Sequence, residues 1–174
     1  LHHPQIHDFS FYFYIKNDIF FYINYLFIMI FYQTKLRDWI DINKLDWKYL
    51  SINSNAIELL KINQDKIDWN YLSINPNAIE LLRNNQDKID WSYLSKNSNA
   101  IDLLKENPNK IDWFYLSFNS NAIELFKENP DKINWNYLSF NENNNTIEII
   151  KKNLDKINWR LLSKNPNAIQ LLKE

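Results

Sequence analysis

Cysteine is absent from the 174 residues, which excludes disulfides, thiolate nucleophiles and cysteine metal ligands and leaves the redox compartment open. Glycine is absent too, so neither a Walker-type nor a dinucleotide-binding loop can be built. Without glycine, any backbone position that needs positive φ is expected to fall to asparagine, the next most tolerant residue. Histidine occurs only as His2, His3 and His7. The rest of the chain therefore has no imidazole for acid-base work, for a Ser-His-Asp arrangement or for metal ligation, and no cofactor is expected. An excess of either charge is missing as well: 20 Lys plus Arg stand against 21 Asp plus Glu, a net charge of -1. Such a balance supplies no field toward nucleic acid or an acidic membrane.

What is present is 45% hydrophobic and 24% charged, enough apolar material to bury a core. Asparagine occurs 28 times and isoleucine 24 times, while valine is missing. The favoured residues have A/T-rich codons, which points to an A/T-rich genome. Part of the asparagine excess is expected to be turn chemistry.

A fixed period organises most of the chain. Trp47, Trp69, Trp91, Trp113 and Trp135 are 22 residues apart, and Trp159 follows after 24. Six units begin at Lys44, Lys66, Lys88, Lys110, Lys132 and Lys156, of which the second reads KIDWNYLSINPNAIELLRNNQD. The fifth carries two extra residues within 141 to 145, and the sixth stops short. An insertion there marks a loop, because two residues added inside a helix rotate its apolar face by about 200°.

Each unit divides into two halves that read as helix starts. In Asn129-Pro130 and Asn75-Pro76, asparagine is placed as N-cap and proline at the first helical position. After Asn75-Pro76, the residues Ala78, Ile79, Leu81 and Leu82 fall at i,i+3 and i,i+4 spacing. In the other half Ile67 and Tyr71 are four apart, and Trp69 and Leu72 three apart, so a second amphipathic helix is predicted. Helices this short are marginal alone and gain stability only by packing on neighbours. The predicted fold is therefore all-α: an α-solenoid of short paired helices, 22 residues per repeat, with the Trp, Ile and Leu positions inside. A leucine-rich-repeat-like β/α solenoid is the alternative, since about 20 to 29 residues per turn is its usual period. Against it stands the lack of L-x-L alternation before the asparagine.

The pattern KIDWxxLSxNPNAIxLLxxN, preceded by Leu36-Arg37-Asp38-Trp39-Ile40, resembles short tryptophan/asparagine repeats in proteins of giant DNA viruses that infect protists. The resemblance spans residues 36 to 174 and implies a viral source, hence a host-cytoplasmic or virion location. It supplies no catalytic or binding residues. This chain departs from the pattern at the insertion in the fifth unit and at Leu161, where the other units have tyrosine.

Residues 1 to 35 do not share the repeat and form a separate hydrophobic aromatic segment. The apolar run over 19 to 32, interrupted only by Asn24, is shorter than the roughly 20 residues of a membrane helix. Membrane association is expected only if residues 9 to 32 are translated and inserted. Translation from Met29 would lead directly into the repeats, making the preceding residues A/T-rich upstream sequence. The close at Glu174, before the asparagine that ends other units, suggests a fragment or a terminal truncation.

Carboxylates are the remaining catalytic option within the array. Asp68, Asp90 and Asp112 recur before Trp, and Glu58, Glu80, Asp102, Glu124 and Glu148 recur in the second helix. A catalytic site needs one special environment, whereas the same residue in every unit implies capping or pairing with Lys66, Lys88 and Lys110. Ser51, Ser73, Ser95, Ser117, Ser139 and Ser163 read in the same way, as turn or cap hydroxyls. No enzyme is expected. A Trp/Tyr ladder flanked by lysine could stack single-stranded bases, but residues 37 to 174 hold 18 basic and 19 acidic residues, which disfavours nucleic acid.

Positions that vary between units face whatever lies outside the stack. Two columns vary most: Lys48, Asn70, Ser92, Phe114, Asn136 and Arg160 after Trp, and Ile52, Ile74, Lys96, Phe118, Phe140 and Lys164 after Leu-Ser. Phe114, Phe118 and Phe140 form the candidate protein-contact surface if exposed, and fill inter-unit packing if not. The leading expectation is a non-enzymatic repeat scaffold for an unknown protein partner. Single-stranded nucleic-acid binding and a structural virion or filament component are the alternatives.

Overall fold

The computed structural model describes Leu36 and residues 40 to 173. The expectations attached to residues 1 to 35, with His2, His3 and His7, lie outside the described residues. The chain divides between Lys44 and Leu45. Of the first part, Ile42–Lys44 forms a 3-10 turn in which Asn43 N–H donates to Asp41 Oδ1 at 3.0 Å.

From Leu45 onward every regular element among the described residues is helical and none is a strand, which sets aside the β/α alternative. One series of helices starts at tryptophan: Trp47–Ile52, Trp69–Ser73, Trp91–Lys96, Trp113–Leu116, Trp135–Leu138 and Trp159–Leu162. A second series comprises Ile57–Ile62, Ile79–Arg83, Ile101–Glu106, Ile123–Glu128 and Asn144–Lys151. Single 3-10 turns at Gln64–Lys66, Gln86–Lys88, Pro108–Lys110 and Pro130–Lys132 lead from each isoleucine helix to the next unit. Each tryptophan helix of the first three units packs on the next, and the array is an α-solenoid of repeated helix pairs.

The helix starts differ from those predicted. Aspartate, not asparagine, caps the tryptophan helices: Asp68 Oδ1 accepts from Tyr71 N–H at 3.2 Å and Asp90 Oδ1 from Tyr93 N–H at 3.0 Å. In the fifth and sixth units Asn134 and Asn158 take this place. Pro108 and Pro130 begin the 3-10 turns, with fixed φ and no donor to lose. The asparagine before each turn serves the helix behind it. Asn63, Asn85, Asn107, Asn129 and Asn153 donate Nδ2 to the carbonyl four residues back at 2.9 to 3.0 Å.

The isoleucine helices begin after alanine, which makes no side-chain cap. The insertion is likewise not a loop throughout. Asn144 and Asn145 extend the N-terminus of Asn144–Lys151, ahead of the apolar stripe, so the stripe keeps its direction. Thr146 takes the buried place of Ala122 and donates Oγ1 to Asn143 O at 2.6 Å.

Leu60, Leu72, Leu82, Leu94, Leu104, Leu116, Phe126 and Leu138 are fully buried in one cluster. Each such side chain contributes about 1.5 to 3 kcal/mol on burial. Ile150, Ile157, Leu162 and Ala168 form a second cluster beyond the insertion, with Trp135 packed on both. The tryptophans do not lie inside as expected: Trp47, Trp69, Trp91, Trp113 and Trp135 are half-buried, and Trp159 is 52% exposed. An indole carries a polar N–H and a broad face, and here its outer face is covered by a lysine of the following unit. Lys66, Lys88, Lys110, Lys132 and Lys156 lie 4.5 to 5.8 Å from the ring centres of Trp47, Trp69, Trp91, Trp113 and Trp135. Those lysines therefore serve the indoles rather than the aspartates.

No described residue has positive φ, so asparagine does not substitute for glycine in turns. Its work is between units. Asn75, Asn97, Asn119, Asn141 and Asn165 are buried, and each donates Nδ2 to two carbonyls of the preceding unit. For Asn119 the acceptors are Ser95 O at 3.0 Å and Asn97 O at 2.8 Å. Its Oδ1 meanwhile accepts from Asn121 N–H at 2.9 Å. A second column, Asn77, Asn99 and Asn121, donates to Ser54, Pro76 and Ser98 carbonyls at 2.9 to 3.0 Å. Asn143 and Asn167 bond in the same way to Ser120 and Glu142.

Candidate functional site: an aromatic contact surface

The tryptophan helices place two variable columns outward, one residue after Trp and one after Leu-Ser. Phe114 is 41% exposed and Phe140 37% exposed, whereas Phe118 is half-buried. Phe114 and Phe118 lie four apart across the end of Trp113–Leu116, with ring centres 6.0 Å apart and edge-on. Tyr137 of the next unit joins them, 4.5 Å from Phe114 and 4.8 Å from Phe118. Tyr115 completes the group, 5.1 Å from Phe114. Edge-to-face rings at these separations attract one another beyond simple burial.

Phe140 lies across a shallow depression from this group. The depression, of about 440 Å³, is lined by Lys96, Phe118, Ser120, Asn121 and Phe140, with Asn141, Glu142 and Asn143 ahead of the insertion. The structure thus brings Phe114 into direct contact with Phe118, and Phe118 to a shared surface with Phe140. Tyr115 and Tyr137 belong to the same patch, although their constancy in the repeat made them read as framework. Position was the available signal: each tyrosine is two residues after Trp, directly beside the variable column. Tyr71, Tyr93 and Tyr115 continue the row at 6.2 and 6.1 Å, tilted by 32° and 51°.

Most of the repeated carboxylates and hydroxyls are engaged in structure. Asp112 Oδ1 caps its helix through Phe114 and Tyr115 N–H, and its Oδ2 accepts from Ser92 Oγ at 2.7 Å. Ser51, Ser73 and Ser95 donate Oγ to the tryptophan carbonyl four residues back and accept from Asp68, Asp90 and Asp112 N–H of the next unit. They link units as well as cap. Glu124 is held below the ordinary carboxylate range by its 2.8 Å bond from Lys127, and Lys61 is raised by its 3.0 Å bond to Glu58. Glu80 and Glu106 pair across units with Lys61 and Arg83. Among the described residues no cluster of acidic or histidine side chains is arranged to hold a metal ion, and no helix is long and apolar enough to cross a membrane.

No family model, curated protein or solved structure matches this chain.

Proposed function

We propose that the array is a non-enzymatic scaffold that captures a protein partner through Phe114, Phe118 and Phe140. One observation carries this reading: residues that the repeat leaves free become phenylalanine only in the fourth and fifth units, where Phe118 and Phe140 share a surface depression and Phe114 lies in ring contact with Phe118. Exposed aromatic clusters of this kind provide anchors that a partner's apolar side chains can bury. The nucleic-acid reading is weaker on ring geometry. Base stacking needs an open ring face for each base. The Tyr71, Tyr93 and Tyr115 rings are tilted onto one another, with centres 6.2 and 6.1 Å apart. A giant-virus source, with a host-cytoplasmic or virion location, rests on the resemblance of the repeat.

The test is affinity capture from source cells with wild-type protein and with Phe114→Ser, Phe118→Ser and Phe140→Ser combined. The variant keeps the helical signal and cooperative melting of the wild type and loses the partner. A partner recovered equally by both proteins would refute the surface.

A further inference from the structure

The column after Leu-Ser ends in a pattern of its own. Over the last four units it reads Lys96, Phe118, Phe140, Lys164: cation, aromatic, aromatic, cation. Lys96 and Lys164 are exposed, and neither forms an ion pair among the described residues. By contrast Lys61, Arg83 and Lys127 pair with carboxylates, and Lys66, Lys88, Lys110, Lys132 and Lys156 lie over indoles. Lys96, Phe118 and Phe140 line one depression, and the Lys96 ammonium lies 5.7 Å from the Phe118 ring centre.

We infer that this track takes an extended segment of a partner protein in which apolar side chains are flanked on both sides by acidic residues. The inference rests on the proposed protein-contact role of the surface and adds the partner's chemistry. Cations without a carboxylate partner at the two ends of an apolar strip complement carboxylates at the two ends of an apolar occupant. A nucleic-acid strand fits less well. Lys96 stands over the Phe118 ring that a base would stack on, and Glu142, the one carboxylate lining the depression, repels an uninterrupted row of phosphates. Separated carboxylates avoid Glu142 and still reach both lysines.

Fluorescence anisotropy with the full chain tests this. The probes are a labelled synthetic peptide with two phenylalanines between paired aspartates, its asparagine and lysine analogues, and a labelled oligothymidylate. The aspartate peptide binds, the asparagine analogue binds about five-fold or more weakly, and the lysine analogue and the oligothymidylate bind weakest. Lys96→Glu and Lys164→Glu each weaken the aspartate peptide about three- to five-fold, and Glu142→Gln tightens it. Phe140→Ala weakens it about ten-fold. Lys96, Lys164 and Glu142 are exposed charges, so melting of their variants stays at the wild-type value, and Phe140→Ala is measured at a temperature where circular dichroism shows it folded; Lys96→Gln and Lys164→Gln replace any glutamate variant that melts lower. Equal binding of the asparagine analogue, preference for the lysine analogue or for oligothymidylate, or no binding of the aspartate peptide overturns the inference. Equal asparagine and aspartate binding leaves the contact surface standing, whereas partner capture unaffected by the triple serine variant removes the surface itself.

Discussion

At the scale of single residues, the asparagine ladder is the feature that most determines this molecule. A buried primary amide has two donors and one acceptor to satisfy, and Asn97 satisfies them on Ser73 O, Asn75 O and Asn99 N–H. No shorter or acidic side chain does this. The ladder was not legible in the sequence, where the asparagine excess reads as codon bias and turn chemistry, because its bonds span 22 to 26 residues and exist only once the stacking register is set. Asn97→Asp replaces donors with a carboxylate facing two carbonyls. In the folded state its pKa rises above the unfolded value near 4, since the protonated form alone can donate. The variant is therefore closest to wild type below about pH 4 and loses stability as pH rises from there to the raised folded pKa. Urea melts at several pH values measure this, with wild type as reference.

At the scale of elements, periodicity located both helices of the first five units, since apolar spacing reports which face is buried; in the sixth the second segment is a 3-10 turn at Pro166–Ala168. Boundaries were less legible. Asn-Pro has the composition of a helix start, yet Asn129 closes the helix behind it and Pro130 opens a 3-10 turn. Aspartate before tryptophan was the true start signal, read from the sequence as a cap among several options. Asp90→Ala, which frees the Tyr93 N–H, costs about 1 kcal/mol in denaturant titration. The indoles were misplaced because Trp spacing marks an apolar face without saying which rings lie at its rim. Lysine, not protein interior, covers their outer faces. Lys88→Ala consequently costs only about 0.5 to 1 kcal/mol and red-shifts emission from Trp69 in a variant with that single fluorescent indole.

At the scale of the whole array, stacking of units was legible from the period, because units too short to fold separately must complete one another's cores; the period alone suits a leucine-rich-repeat-like turn, and the apolar spacing decided for paired helices. Of the proposed contact surface, Phe114, Phe118 and Phe140 stood out as variation against a constant background; the convergence of Phe114 and Phe118 with Tyr137 required coordinates. The architecture predicts that removing residues 88 to 109, one whole unit, joins Asp87 to Lys110 and preserves a folded, cooperative, less stable protein. Removing 11 residues instead breaks the ladder register, and circular dichroism is expected to show lost helix.

The coupling of units through buried asparagine is tested most directly by one matched pair of variants in chemical denaturation. Asn119 is buried and bonded to two carbonyls of the preceding unit, while Asn53, in the same register of the first unit, is exposed. Asn119→Ala strands both acceptors and costs about 2 to 4 kcal/mol; Asn53→Ala costs less than about 1 kcal/mol. Equal losses at the two positions, or no loss at Asn119, would contradict the ladder as the bond between repeats.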